Sequence, residues 1–304
     1  MKIKFREIRM SKANKERLKI INSIIQEYQA EGYVLTLRQL YYQLVSRDVV
    51  PNKQTEYSKL SILLKEGRMA GIVDWDAIED RLRKPQKPSS FSSPKDILDA
   101  AIQQYALPRQ EGQSTYVEVW VEKDALSGVL KRVTSKYHVP ILVNRGYSSA
   151  SAMFDSYQRF KAAYESGQAI RVLYLGDYDP SGMDMIRDVK SRTLEFFMGE
   201  YEIEDEEYAA ESMDFQVIPI ALTREQIRQY NPPPNPAKTS DPRAKDFIER
   251  HGSTSWEVDA LRPEVLNNLL DEAIRENIDE TAYMEIVGKE EADKEKLRRL
   301  YHHL

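Results

Sequence analysis

Residues 172–182 read VLYLGDYDPSG: four apolar or aromatic residues, a glycine, then two carboxylates two positions apart before Pro180, Ser181 and Gly182 turn the chain. The run from Val172 to Leu175 predicts a buried strand, and Asp177 and Asp179 stand at its carboxyl end, where α/β sheets place their chemistry. Positions two apart in extended chain point the same way, so these two carboxylates can share one divalent ion. The same residue types also build an ordinary polar turn. Upstream, residues 117–126 read VEVWVEKDAL. A strand is expected over 116–121, with Glu122 on its tip and a helix from 123 to about 137. Glu122 then completes an oxygen-ligand cluster for Mg²⁺, or accepts a proton from an attacking group. Another strand at 215–220 and a helix at 181–198 between the strands make the order alternate, which predicts an α/β sheet domain.

Composition limits what can be attached to that sheet. The chain has 304 residues, 41% of them hydrophobic and 31% charged, enough for two domains with cores of their own. It has no cysteine and four histidines, which excludes disulfides, thiolate zinc sites and cysteine nucleophiles and leaves hard, oxygen-ligated cations as the natural metal class. No apolar run reaches membrane length, and the opening MKIKFREIRM is too charged for a secretory segment, so a cytoplasmic protein with no membrane partner is expected. Residues 1–90 hold 18 Lys and Arg against 11 Asp and Glu, a balance of +7, so the total of −5 leaves −12 for the rest. A basic head on an acidic body suits a polyanion-binding module joined to a separate catalytic or assembly unit. Residues 195–214 carry nine acids and no Lys or Arg, and should face solvent or a protein partner.

The basic head reads as helices. Residues 12–30 carry Leu18, Ile21, Ile24, Ile25 and Tyr28 on one stripe behind Ser11 as cap, and Gly32 ends them. Thr36 and Gln39 form a capping box ahead of Leu37, Leu40, Tyr41 and Leu44, and a third helix over 55–69 turns Leu60, Leu63 and Leu64 inward. Three short helices in a basic segment predict a helix-turn-helix or winged-helix module, with Lys53, Lys59, Lys65 and Arg68 as phosphate contacts. Tyr42 falls off the face that buries Leu40, Tyr41 and Leu44, and Arg38 lies one turn away on its side. An exposed Arg–Tyr pair suits attack on a phosphodiester, since a phenol of pKa about 10 needs a cation or base beside it. The alternative is a tyrosine packed at a domain interface.

The segment TLRQLYYQL, residues 36–44, resembles the nucleophile helix of the A subunit of type IIB DNA topoisomerases and of the related meiotic double-strand-break protein. In that family the second aromatic of the pair joins DNA, which maps onto Tyr42, with Arg38 matching the family's arginine. Glu122 in WVEKDAL and Asp177 and Asp179 in GDYDPSG resemble the acids of the family's Toprim domain, NRGYSS at 144–149 its Arg-Gly-Tyr turn, and SWEVDALRPEVL at 255–266 its stretch near the carboxyl end. The likeness spans roughly residues 33–275. It implies a winged-helix domain over 1–84, a linker and connecting helix over 85–110, and a Toprim (Rossmann-like) domain with helical elaboration over 111–304. It also implies Mg²⁺, double-stranded DNA, a homodimer whose sites are shared between subunits, a 5′-phosphotyrosyl product, and nucleoid association. The family's A subunit generally carries an extension that meets an ATPase subunit. Here the first helix begins near residue 12, which argues against attachment to a conventional ATPase subunit, and no phosphate-binding nucleotide loop is evident, so a stand-alone member, a minimal subunit of a mobile-element system, or a nuclease adapted from the topoisomerase plan is expected, with a subunit silent without an ATPase partner as a further alternative.

Between the modules, residues 84–96 (KPQKPSSFSSPKD) have linker composition, followed by a helix over 94–106. Residues 231–242 (NPPPNPAKTSDP) predict a surface loop near DNA, where Lys238, Arg243 and Lys245 touch phosphate or are simply solvated; Arg145 of the Arg-Gly-Tyr turn is a further predicted DNA contact. Glu257 and Asp259 alternate with Trp256, Val258 and Ala260 and should share a side; a structural role is favoured over an extension of the metal cluster. Helices are expected over 264–278 and 280–301. A hydrolytic Toprim nuclease using metal-bound water, and a DNA-binding scaffold, stand as alternatives to transesterification.

Overall fold

The computed structural model describes residues 1–79, 88–144, 146–236 and 241–302. Three helices open the chain: α1 (Lys12–Ala30), α2 (Leu37–Ser46) and α3 (Gln54–Met69). Ser11 caps α1 by accepting from Asn14 N at 3.1 Å, and both halves of the Thr36–Gln39 capping box are formed. Their apolar stripes close one core, with Leu18, Ile21, Leu40 and Leu44 fully buried. Two isolated bridges, Lys4 with Ala70 and Leu35 with Ile78, fasten the flanking chain to it. No β-hairpin occurs in this module among the described residues.

After α4 (Pro94–Gln104) come β1 (Thr115–Val121), α5 (Asp124–Tyr137), β2 (Ile141–Val143), α6 (Ala150–Glu165), β3 (Ala169–Leu175), α7 (Pro180–Tyr201), α8 (Glu206–Met213) and β4 (Phe215–Ala221). The four strands form one parallel sheet in the order β2-β1-β3-β4. Alternation along the strands decides what each face buries. Val117, Val119, Val121, Leu173 and Leu175 point to a core shared with α5 and with α11 (Pro263–Glu276). Trp120, Ile170, Val172 and Tyr174 point the other way, into a core with α6, α7 and α8. Parallel strands covered on both faces require long apolar runs, which is why these segments stand out in the sequence.

Five further elements follow: α9 (Arg224–Tyr230), α10 (Ala244–His251), a small antiparallel pair of β5 (Asn235–Pro236) with β6 (Thr254–Ser255), and α12 (Glu280–His302). The proline-rich surface segment is ordered at 235–236 by this pairing. Residues 237–240 of that segment, including Lys238, and residues 84–87 of the expected linker lie outside the described residues.

One 3₁₀ turn, Val258–Ala260, joins the halves. Val258 belongs to the sheet core, while Ala260 packs into the core of the three N-terminal helices. Asn52 Nδ2 donates to Asn235 Oδ1 at 2.7 Å, Asn267 Nδ2 to Tyr33 OH at 2.9 Å, and Arg262 pairs with Glu31 at 3.0 Å. These contacts hold α2 against the strand tips.

Candidate active site

Glu122 leaves β1 with its backbone N–H donating to Leu175 O at 3.0 Å, and its Oε2 accepts from the backbone N–H of Asp177 at 2.8 Å. The two strand tips are thus tied together by the first acid. Close approach needs Gly176 between them, because a Cβ there would stand 2.4 Å from the Tyr174 ring and 3.1 Å from Glu122 Oε2. Asp177 accepts from Lys123 Nζ and from the backbone N–H of Val258 at 3.0 Å. Asp179 caps α7, its Oδ1 accepting from Gly182 N at 2.8 Å and Ser181 Oγ at 2.9 Å. Between the two aspartates, Tyr178 exchanges backbone bonds with Trp256, and its hydroxyl meets His251 Nδ1 at 2.7 Å.

The Trp256–Ala260 segment therefore serves the site as well as the packing. Glu257 and Asp259 do share a side, and both reach across to the N-terminal helices. Arg38 pairs with Glu257 and, through Nε at 2.8 Å, with Asp259. Lys123 lies 2.9 Å from Glu257 and 3.5 Å from Asp259. Sequence reasoning gave Lys123 no role. Its only signal there was its place directly after Glu122 on a strand tip, in a chain whose other acidic motifs converge on the same end of the sheet.

Tyr42 is not the exposed residue the helical wheel implied: it is 4% exposed. The correction has a simple cause. The face of α2 opposite its own core is covered by the Val258–Ala260 turn, which no periodicity in α2 can reveal. Arg38 lies 5.7 Å from the Tyr42 ring centre, and both line a cavity of ≈270 Å³ with Tyr41, Asn52, Lys53, Gln54, Tyr57, Asn235 and Glu257. The Tyr41 hydroxyl builds one wall, accepting from Lys53 N at 2.8 Å and lying 3.1 Å from Asn52 Oδ1.

Burial dominates the electrostatics. It pushes up the carboxyls of Glu122, Asp177 and Asp259, with neighbouring acids adding to the effect and Lys123 opposing it. Burial alone would raise Glu257 too, but Lys123 and Arg38 outweigh it and hold that carboxyl at about 2. The Tyr42 hydroxyl is pushed up, first by burial and then by Glu257 and Asp259.

The predicted metal ligands are brought to one end of the sheet but not into a closed set. Among the described residues no three Asp, Glu or His side chains are grouped as ion ligands. In donor type the site does fit Mg²⁺: Glu122, Asp177, Asp179, Glu257 and Asp259 all offer carboxylate oxygens, and Asp177, Glu257 and Asp259 are paired with Lys123 or Arg38.

The predicted DNA contacts divide. Lys53 lines the Tyr42 cavity, Lys65 is exposed, and Lys59 pairs with Glu56 at 2.7 Å on the open face of α3. Arg68 turns inward instead, donating to Trp75 O and Ile78 O at 2.9 Å each. Arg243 is likewise engaged internally, with Asp241 at 2.7 Å, Asp184 at 3.1 Å and the Tyr147 ring at 5.3 Å. Arg145, like Lys238, lies outside the described residues. No helix among the described residues is long and apolar enough to cross a membrane. No family model matches the chain, and neither a curated protein nor a solved structure matches it.

Proposed function

We propose that this protein cleaves double-stranded DNA by tyrosine transesterification, in the manner of a type IIB topoisomerase A subunit built from a winged-helix and a Toprim domain. The observation that carries the reading is the junction itself: Tyr42 and Arg38 on α2 share a cavity with Glu257, and Glu257 is bridged through Lys123 to Asp177 at the strand tips. Nucleophile, phosphate-orienting cation and acid cluster therefore meet at one place, although they are far apart in sequence.

In this reading the Tyr42 oxygen attacks a backbone phosphorus, its proton passes to a carboxylate of the cluster, and the bond to the 3′ oxygen breaks as that oxygen takes up a proton from solvent, leaving a 5′-phosphotyrosyl link and a 3′-hydroxyl. The reverse attack reseals the strand. Glu257 is the carboxylate nearest the phenol in effect, since it contributes to the raised Tyr42 hydroxyl. Arg38 is half-exposed and faces the cavity, so its guanidinium can exchange Glu257 for a phosphate oxygen without leaving its helix. Lys53 supplies a second cation at the cavity wall. Glu122, Asp177 and Asp179 are the residues that would hold Mg²⁺, which when bound neutralises charge developing on the phosphate oxygens. Homodimeric sharing of sites, an ATPase partner and nucleoid association belong to the same proposal and rest on the resemblance alone.

A second reading has one observation in its favour. The buried, raised phenol of Tyr42 is a poor nucleophile as it stands, which favours hydrolysis by metal-bound water. Incubation with supercoiled DNA and Mg²⁺, quenching with denaturant and probing for protein-linked DNA separates the two. A 5′ adduct absent from Tyr42→Phe supports transesterification. Adduct-free cleavage that persists in Tyr42→Phe replaces it with a hydrolytic nuclease, and the absence of both in the presence of candidate partners removes the enzymatic reading.

A further inference from the structure

Lys123 occupies the helix-start position before α5, yet its side chain makes no cap there and is turned into the acid cluster. Its ammonium stands 2.7 Å from Asp177 Oδ2, 2.9 Å from Glu257 Oε2 and 3.5 Å from Asp259 Oδ1, with the side chain 19% exposed. The three carboxylates come from two separate segments, the tip of β3 and the turn after β6. Asp259 is fully buried, and neither of its oxygens has a hydrogen-bond partner among the described residues, so its charge is balanced by the ion pairs with Lys123 and Arg38 alone. Glu257 Oε2 is shared by Lys123 and Arg38. The ammonium thus stands at the head of a chain, Lys123 to Glu257 to Arg38, that runs from a predicted metal ligand to the helix bearing Tyr42.

We infer that Lys123 is a positioning residue, the resident cation of the site, which gathers Asp177, Glu257 and Asp259 and through Glu257 seats Arg38 and the Tyr42 helix on the sheet domain. The inference rests on the proposed function only for the meaning of the residues it positions. Its physical basis is independent: like charges brought together in a buried place repel unless a cation lies between them. A flexible four-carbon stem lets one ammonium reach all three acids, whereas a planar guanidinium meets carboxylates in fixed pairs.

The test compares Lys123→Met with Lys123→Arg in the full chain, by thermal melting in EDTA and in millimolar Mg²⁺ and by hydrogen exchange. Lys123→Met should melt about 10 °C lower in EDTA, the loss expected when Asp177 loses its cation and Glu257 and Asp259 are left with Arg38 alone among the described residues. Exchange should quicken in residues 37–46, 177–182 and 256–260 and stay unchanged in α6. Lys123→Arg should recover part of the midpoint, and Glu257→Gln added to Lys123→Met should recover more, because it removes an acid along with its cation. That double variant also keeps the test open if Lys123→Met fails to fold. Mg²⁺ should raise the midpoint of Lys123→Met more than that of the wild type, as a second cation fills the deficit. A Lys123→Met protein with the wild-type midpoint in EDTA and wild-type exchange in α2 overturns the inference, as does a double variant no more stable than the single one. These outcomes do not depend on DNA. Failure to form a Tyr42 adduct would remove the proposed reaction while leaving the role of Lys123 decided by melting and exchange.

Discussion

Replacing Gly182 by alanine should be among the most damaging single-methyl additions available to this chain. An ideal Cβ at Gly182 lies 2.2 Å from the carbonyl oxygen of Asp177, 3.1 Å from its carbon and 3.3 Å from its nitrogen. The obstacle is backbone, so no rotamer change relieves it. Restoring ordinary contact requires the start of α7 and the Asp177 peptide to separate by about 1 Å. Overpacking of a closed site typically costs about 1–3 kcal/mol, and rigid neighbours put this case at about 3 kcal/mol. The displaced peptide also carries the Asp177 carboxylate away from Val258 N and Lys123, and the Gly182 N–H away from Asp179. Gly199 lies in the same helix with nothing within 4 Å of an added Cβ, and alanine there should stabilise by about 0.5–1 kcal/mol through the unfolded chain. Urea denaturation of both variants, analysed with a common slope, should place their midpoints on opposite sides of the wild type and about 4 kcal/mol apart. A Gly182→Ala protein within about 0.5 kcal/mol of wild type would refute the claim that Gly182 is there for the Asp177 carbonyl.

Three other expectations are checked in the same way. Glu290 on α12 is enclosed by Lys294 at 2.6 Å, Arg109 at 3.0 Å and the Leu107 N–H at 3.1 Å; burial would raise its carboxyl, but these partners hold it at about 2 against an ordinary 4.5. Because the folded value is depressed, its contribution is complete above the ordinary value and fades as pH falls towards 2, so Glu290→Gln should cost about 2 kcal/mol at neutral pH, after allowance for solvent near Lys294, and almost nothing at the acid end of a denaturation series. Arg38→Met leaves buried Asp259 with Lys123 as its remaining ion-pair partner and should cost about 3 kcal/mol in urea, with hydrogen exchange rising in residues 256–260. Tyr41→Phe removes the acceptor of the Lys53 N–H at the start of α3 and should cost about 1 kcal/mol by urea denaturation.

The elements near the site were largely legible, and for identifiable reasons. Ser11, Thr36 and Gln39 mark helix starts through local hydrogen bonds, which depend on neighbours in sequence and nothing else. The central strands announce themselves because both faces are buried. Short β2 and the pair β5–β6 give no such signal, since three residues or two carry no periodicity. The acids at the strand tips were readable as a group, but their partners were not. That Arg38 meets Glu257 across 219 positions is decided by the docking of two modules. The same docking buries Tyr42, while Arg68 is claimed by Trp75 O and Ile78 O within its own module, carbonyls that helical periodicity does not reveal. Local pattern reports which side chains leave a helix's own core; it is silent on what arrives from elsewhere to cover them.

The turn at Val258–Ala260 gives three consecutive residues three different addresses: one interior, the acid cluster, and the other interior. Such a tripeptide ties the two interiors to one another. The helical head lends its hydrophobic centre to a residue it does not encode, and the sheet half holds its most deeply buried charge against a guanidinium it does not own. Loosening either half withdraws a wall from the other, so fluctuations in the head are felt at the strand tips as changes in charge balance.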